Sequence, residues 1–144
     1  MKIVIEEIQS SEEEEIIIKC KELSPQLLRV VAQLKAGDSL VAYDGSKIYR
    51  IKPQNIYYFE VIDNNTFIYC QQKVYESKQK LYELEEALAG GDFLRVSKSV
   101  ILNLGKISSL SPALNGRFEA TLQNNEKVII SRQYVNDLKK VLGL

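Results

Sequence analysis

The sequence predicts a mainly β chain with short helices, an α+β fold, in which an N-terminal ββα-ββ cap precedes a longer β-rich stretch. Three observations lead there. Short runs of β-branched and aromatic residues recur along the chain, as in Ile16-Ile17-Ile18-Lys19-Cys20 and Ile56 to Ile62. Turn formers separate them: Asp44-Gly45, Asn115-Gly116 and Asn124-Asn125. Only three segments carry apolar residues at helical spacing, and all three are short.

The cap is expected over residues 1–52. Ile3 and Ile5 share one face of a first strand, Glu12 to Glu15 form an acidic turn, and Ile16 to Cys20 is a second strand. Ser24-Pro25 starts a helix, because serine can accept from the orphan amides and proline suits the first helical position. Leu27, Val31 and Leu34 follow as its core-facing stripe, and Gly37 stops it. Strands at Leu40 to Tyr43 and Lys47 to Ile51 flank the Asp44-Gly45 turn. No site chemistry is legible in this part.

Pro53 marks a break, and residues 53–144 read as a second domain. Strands are expected at Ile56 to Ile62, Thr66 to Cys70 and Lys73 to Glu76. A helix over Lys78 to Ala89 turns Leu81, Leu84 and Leu88 inward and Glu83, Glu85 and Glu86 to solvent, and Gly90-Gly91 ends it. Phe93 to Val96 and Val100 to Leu102 enclose the turn Ser97-Lys98-Ser99. A hairpin about Asn115-Gly116, a strand at Lys127 to Ile130 and a final helix from Ser131, burying Tyr134, Leu138 and Val141 or Leu142, complete the chain.

Composition narrows the function. With 144 residues and 45% hydrophobic content, the chain can build one domain or two very small ones. No apolar run approaches the ~20 residues of a membrane span, and the early acidic residues Glu6-Glu7 are unlike a signal peptide, so a cytoplasmic protein without membrane insertion is expected. Cys20 and Cys70 lie in strand-like runs and read as buried free thiols. There is no histidine, which removes Ser-His-Asp and Cys-His catalysis and most zinc sites. No nucleophile–base pair or metal set stands at a workable spacing, so no enzyme, cofactor or metal is expected. Formal net charge is zero, but Met1 to Tyr49 carries six basic against nine acidic residues and Arg50 to Leu144 thirteen against ten. The second half can therefore present a locally positive face to phosphate.

Three ordered pieces of the second half carry a resemblance: Leu81-Tyr82-Glu83-Leu84-Glu85-Glu86-Ala87-Leu88, then Phe93 to Asn103 (FLRVSKSVILN), then Val128-Ile129-Ile130-Ser131-Arg132-Gln133-Tyr134. In sequence, order and spacing they resemble the LytTR family of bacterial DNA-binding domains over roughly Gln54 to Leu144. The whole chain resembles the stand-alone members that lack a phospho-receiver domain. The resemblance implies an elongated stack of small antiparallel sheets that reads successive major grooves with loops, here the Asp63-Asn64-Asn65 loop, the Ser97-Lys98-Ser99 turn and the Ser131-Arg132 corner. It departs from many members at Ser97, where they have histidine.

On that basis Arg132 is the leading candidate, since a guanidinium can donate twice to guanine O6 and N7 or grip a phosphate. Lys98, exposed on a tight turn, suits a phosphate. Asn64 and Asn65 are ordinary turn formers whose amides can also pair with adenine. Ser131 reads first as a helix cap, Ser97 as a hydroxyl donor, and Arg95 as either a support for the turn or a phosphate contact. The tyrosines Tyr57, Tyr58, Tyr69 and Tyr75 are expected mostly in the core. The implied partner is double-stranded DNA, bound by a homodimer. The alternative is a protein-interaction or ligand-sensing β module that does not bind DNA.

Overall fold

Seven strands hydrogen-bond into one antiparallel sheet, and a second sheet of three strands packs against one of its faces. This is a computed structural model, and it describes residues 2–35 and 39–144, without the side chains of residues 32, 33 and 35. By its contacts the chain divides into two compact units, Met1–Lys35 and Ala36–Leu144.

The first unit contains one helix, α1 (Pro25–Lys35). It starts as its sequence dictates: the Ser24 hydroxyl accepts from the Leu27 amide at 3.2 Å. Leu27 and Val31 are half-buried and Leu34 is exposed. The stop expected at Gly37 lies outside the described residues. The two strands expected before this helix are not formed: residues 2–8 and 13–20 carry no strand, and Ile3, Ile5, Ile16 and Ile17 stand in solvent. A turn between them is closed by the Glu12 amide donating to Gln9 O at 2.9 Å. In an antiparallel hairpin on that turn Glu7 would oppose Glu14, Glu6 would oppose Glu15 and Lys2 would oppose Lys19. Like charges directly across a strand pair are destabilising, and β-branched propensity does not outweigh them here. Cys20, expected buried, is exposed for the same reason.

The second unit holds all ten strands found among the described residues. Its larger sheet contains β1 (Leu40–Asp44), β2 (Lys47–Ile51), β3 (Ile56–Ile62), β4 (Asn65–Cys70), β5 (Val74–Ser77), β6 (Phe93–Arg95) and β7 (Val100–Asn103), in the order β2-β1-β5-β4-β3-β7-β6. The break at Pro53 is a 3-10 turn, Pro53–Asn55, within this unit. The hairpin β1–β2, assigned to the cap from sequence, thus joins the main sheet through a pairing of Tyr43 with Glu76. The smaller sheet has the order β10-β9-β8, from β8 (Ile107–Pro112), β9 (Phe118–Leu122) and β10 (Lys127–Ile130).

Two cores follow from period-two alternation. On one face of the large sheet, Phe59, Ile68, Ile101 and Ala42 pack with Leu81 and Leu84 of α2 (Leu81–Ala87). On the other, Tyr57, Val100 and Leu102 meet Ala120, Leu122, Val128 and Ile130 of the small sheet and Val135 and Leu138 of α3 (Val135–Leu142). The strand β7 is buried on both faces because it is covered by both layers. A bulge in β3 between Ile56 and Tyr58 lets Ile56 and Phe59 face the same core. Val141 and Leu142, one of which was expected inside, are both exposed: α3 ends at Gly143 (φ 72) with Val135 and Leu138 as its buried residues.

Candidate nucleic-acid interface

Three loops converge at one end of the large sheet because of strand register. Strands β3 and β4 turn at Asp63-Asn64, both left-handed (φ 50 and 63), the two-residue type I′ geometry that asparagine and aspartate tolerate. Strand β3 pairs antiparallel with β7, Glu60 facing Val100, and the Val61 amide donates to Ser99 O at 2.9 Å. The Ser97-Lys98-Ser99 turn therefore lies beside the last residues of β3. The third loop is attached by one backbone bond: Ser131 N donates to Val96 O at 2.8 Å, so the corner after β10 abuts the β6–β7 turn.

The candidate side chains divide into supports and free groups. Arg95 is wholly engaged. Its Nε donates to Ser97 O at 2.7 Å, one terminal nitrogen donates to Lys98 O, and the other is ion-paired with Glu85. Of its two expected roles, the support is the one its hydrogen bonds serve. Glu85, read from sequence as a solvated residue, anchors that arginine from α2. Ser97 turns inward, its hydroxyl accepting from Ser99 N at 3.2 Å. Asn65 braces its own turn, its amide donating to Asp63 O at 3.3 Å.

Lys98, Arg132 and Asn64 are exposed, and neither cation forms an ion pair among the described residues. Ser131 does not cap a helix with its side chain. It is extended (φ −64, ψ 147) and leads into a 3-10 turn, Arg132–Tyr134, before α3. Arg132 thus sits on a tight turn rather than in the first turn of an α-helix. Its stem passes over Gly116 of the β8–β9 turn: a Cβ on Gly116 would lie 3.2 Å from Arg132 Cδ. That seat was not anticipated, because Asn115-Gly116 signals only a hairpin in sequence, with nothing to say what lies above it.

The tyrosines are unsuited to a base-stacking platform. Tyr57 is buried, and Tyr58 and Tyr69 stack on each other with centroids 4.2 Å apart. Burial, with Glu126 and Tyr69 nearby, pushes the Tyr58 phenol far above its ordinary pKa, and burial with Glu60 raises Tyr69. Cys70 on β4 is half-buried, which raises its thiol. Among the described residues no helix is long and apolar enough to cross a membrane.

Comparison with known proteins agrees with this geometry. Residues 46–143 match the family described as the LytTr DNA-binding domain. The chain is 30% identical over 138 residues to the sensory transduction protein LytT of Enterococcus faecalis, covering 92% of this chain but only 57% of that protein. It is 30% identical over 118 residues to an uncharacterized HTH-type transcriptional regulator of Staphylococcus aureus, covering 82% of this chain and 80% of the relative. A solved LytTr DNA-binding domain from Bacillus cereus superposes with a TM-score of 0.71 at 23% identity, covering 74% of this chain and 98% of that one, and so shares the fold. The chain belongs to the LytTR family of DNA-binding domains.

Proposed function

We propose that this chain is a cytoplasmic transcription regulator, a binding protein rather than an enzyme, that reads double-stranded DNA sequence-specifically by presenting its three convergent loops to the major groove. One observation carries the reading. Two exposed cations without acidic partners among the described residues, Lys98 and Arg132, stand on turns joined by the Ser131–Val96 hydrogen bond, and the arginine behind them is spent on holding one of those turns. In this reading Arg132 forks onto guanine, Lys98 neutralises a phosphate, and Asn64 and Asn65 offer amides to adenine. Ser131 supplies a secondary hydroxyl contact, while Ser97, turned inward onto the Ser99 amide, and Arg95 position the turn.

A patch this small covers few base pairs, so two copies on paired sites would multiply affinity. The sites would then be spaced by one or two helical turns, ~34 Å each. Selection from a random duplex pool, followed by binding measured against salt, tests the proposal. The expected result is an enriched sequence bound with an affinity that falls steeply as salt rises. No binding at low salt to any member of the pool would overturn it in favour of an interaction module that does not use DNA.

A further inference from the structure

We propose that residues 13–21 are a strand that pairs antiparallel with the same residues of a second copy of this chain, about a two-fold axis at Ile17. Four observations carry this. Ile16, Ile17 and Ile18 form a β-branched run that is 70%, 68% and 36% exposed, in a stretch with no strand. No backbone group of residues 13–20 is hydrogen-bonded to another described residue. Such a row of open amides and carbonyls is a template for another strand.

The charges then select the partner. Around Ile17 the sequence is Glu13-Glu14-Glu15-Ile16-Ile17-Ile18-Lys19-Cys20-Lys21. Paired with itself antiparallel, Ile17 faces its own copy, Ile16 faces Ile18, Glu15 faces Lys19 and Glu13 faces Lys21. Every charged residue except Glu14 meets its opposite, and each pairing occurs twice by symmetry. Pairing with the chain's own residues 2–8, in the register set by the Gln9–Glu12 turn, instead places Glu on Glu twice and Lys on Lys once. Residues 2–6 show the same self-complementarity about Val4, with Lys2 facing Glu6 of a second copy. Each stretch is thus matched to itself and mismatched to the other.

The proposal supplies the two copies that paired DNA sites call for, yet it does not rest on DNA binding, because its readout is oligomeric state. Two variants separate it from chance association. Lys19→Glu/Lys21→Glu sets glutamate against glutamate at positions 15/19 and 13/21, and Glu13→Lys/Glu15→Lys sets lysine against lysine there. Sedimentation equilibrium should show a dimer for the native chain, a monomer for each variant alone, and a dimer for their equimolar mixture. A monomeric native chain, dimers of either variant alone, or a mixture that stays monomeric would each overturn it.

A cross-link guards against variants that fail to fold. In a Cys20→Ser/Cys70→Ser background, Ile17→Cys places two thiols directly opposite, with Cα atoms ~4.5–5.5 Å apart, within disulfide reach. Oxidised glutathione, which accepts the two electrons, should link the copies through one S–S bond. In the native chain the Cys20 residues would be about six residues apart along the strands, ~20 Å, and should stay unlinked there. Efficient Cys20 linkage, or none through residue 17, overturns the register. Dimers that fail to bind DNA would sink the DNA reading alone, and monomers that bind a half-site would sink this one alone.

Discussion

Gly116 forms the seat of Arg132: a Cβ at position 116 would lie 3.2 Å from Cδ and 3.3 Å from Cγ of the arginine stem. Gly116 is left-handed (φ 74), as is Asn115 before it (φ 62), and the Ala113 amide donates to Arg117 O at 2.8 Å to close the turn. The hairpin therefore meets two demands with one residue. Glycine accepts the backbone angle that the tight turn requires, and its missing side chain lets the arginine lie down on the backbone. A stem held this way loses less rotamer freedom when its guanidinium engages a ligand.

Gly116→Ala is expected to act at both levels. The left-handed backbone costs about 1–2 kcal/mol with a Cβ present, which a denaturant titration will read. The displaced stem should also weaken DNA binding. In an Arg132→Ala background the same change should cost stability but no further affinity, because the seat then has no occupant. Additive losses of affinity would show that Gly116 acts on DNA binding by another route.

Arg132 and Lys98 should separate by the kind of affinity they lose. Arg132→Ala is expected to cost ~1–3 kcal/mol on the selected site and to relax preference at one base pair. Arg132→Lys should not restore it, because an ammonium cannot reproduce the planar fork. Lys98→Ala should weaken all duplexes alike and flatten the salt dependence by about one unit, as the loss of one phosphate contact requires. Both residues are exposed and without an ion pair among the described residues, so thermal melts of the two variants should stay within ~0.5 kcal/mol of the native chain. An Arg132→Ala protein that binds its site normally while folded would leave the interaction module as the better reading.

Arg95→Ala should resemble neither. It strips the carbonyls of Ser97 and Lys98 of their donors and leaves Glu85 alone, so both stability and affinity should fall. The salt dependence should keep its native slope, because no phosphate contact is removed. Glu85→Gln, which breaks only a partly exposed ion pair, is expected to cost ~0.2–1 kcal/mol. A flattened salt dependence in Arg95→Ala would identify the guanidinium as a phosphate contact after all.

Legibility from sequence followed the range of the forces involved. The hairpins at Asp63-Asn64 and Asn115-Gly116 were readable because left-handed angles restrict residue choice locally. So was the burial of Leu81, Leu84 and Leu138, which follows from helical spacing. The strands expected at residues 3–5 and 16–20 failed because propensity is local, whereas the charges opposing one another across a hairpin depend on the turn that sets the register. The Arg95–Glu85 pair and the Gly116 seat were invisible for a related reason: each joins elements about ten or more residues apart, with no pattern in either element to announce the other. Arg132 and Lys98 were singled out through the family's loop order. Among the described residues the structure adds that neither is engaged in an ion pair.

Alkaline pH gives a test of the packing between the two sheets. Tyr58 stacks on Tyr69 against the core between the two sheets, and burial, then Glu126 and Tyr69, raises its phenol far above the ordinary tyrosine value of 10.0. Below pH 10 the phenol is protonated in both folded and unfolded chains, and the group contributes no pH dependence. Above pH 10 the unfolded chain releases this proton while the folded chain keeps it, so stability must fall as pH rises toward the folded pKa. Denaturation followed at stepped pH should show that decline, and Tyr58→Phe, which has no proton to release, should show a shallower one. Tyrosinate absorbance should rise for Tyr58 only as the domain unfolds. If the native and Tyr58→Phe proteins lose stability in parallel above pH 10, the phenol is not held from ionising by its site, and the core between the sheets is open to water.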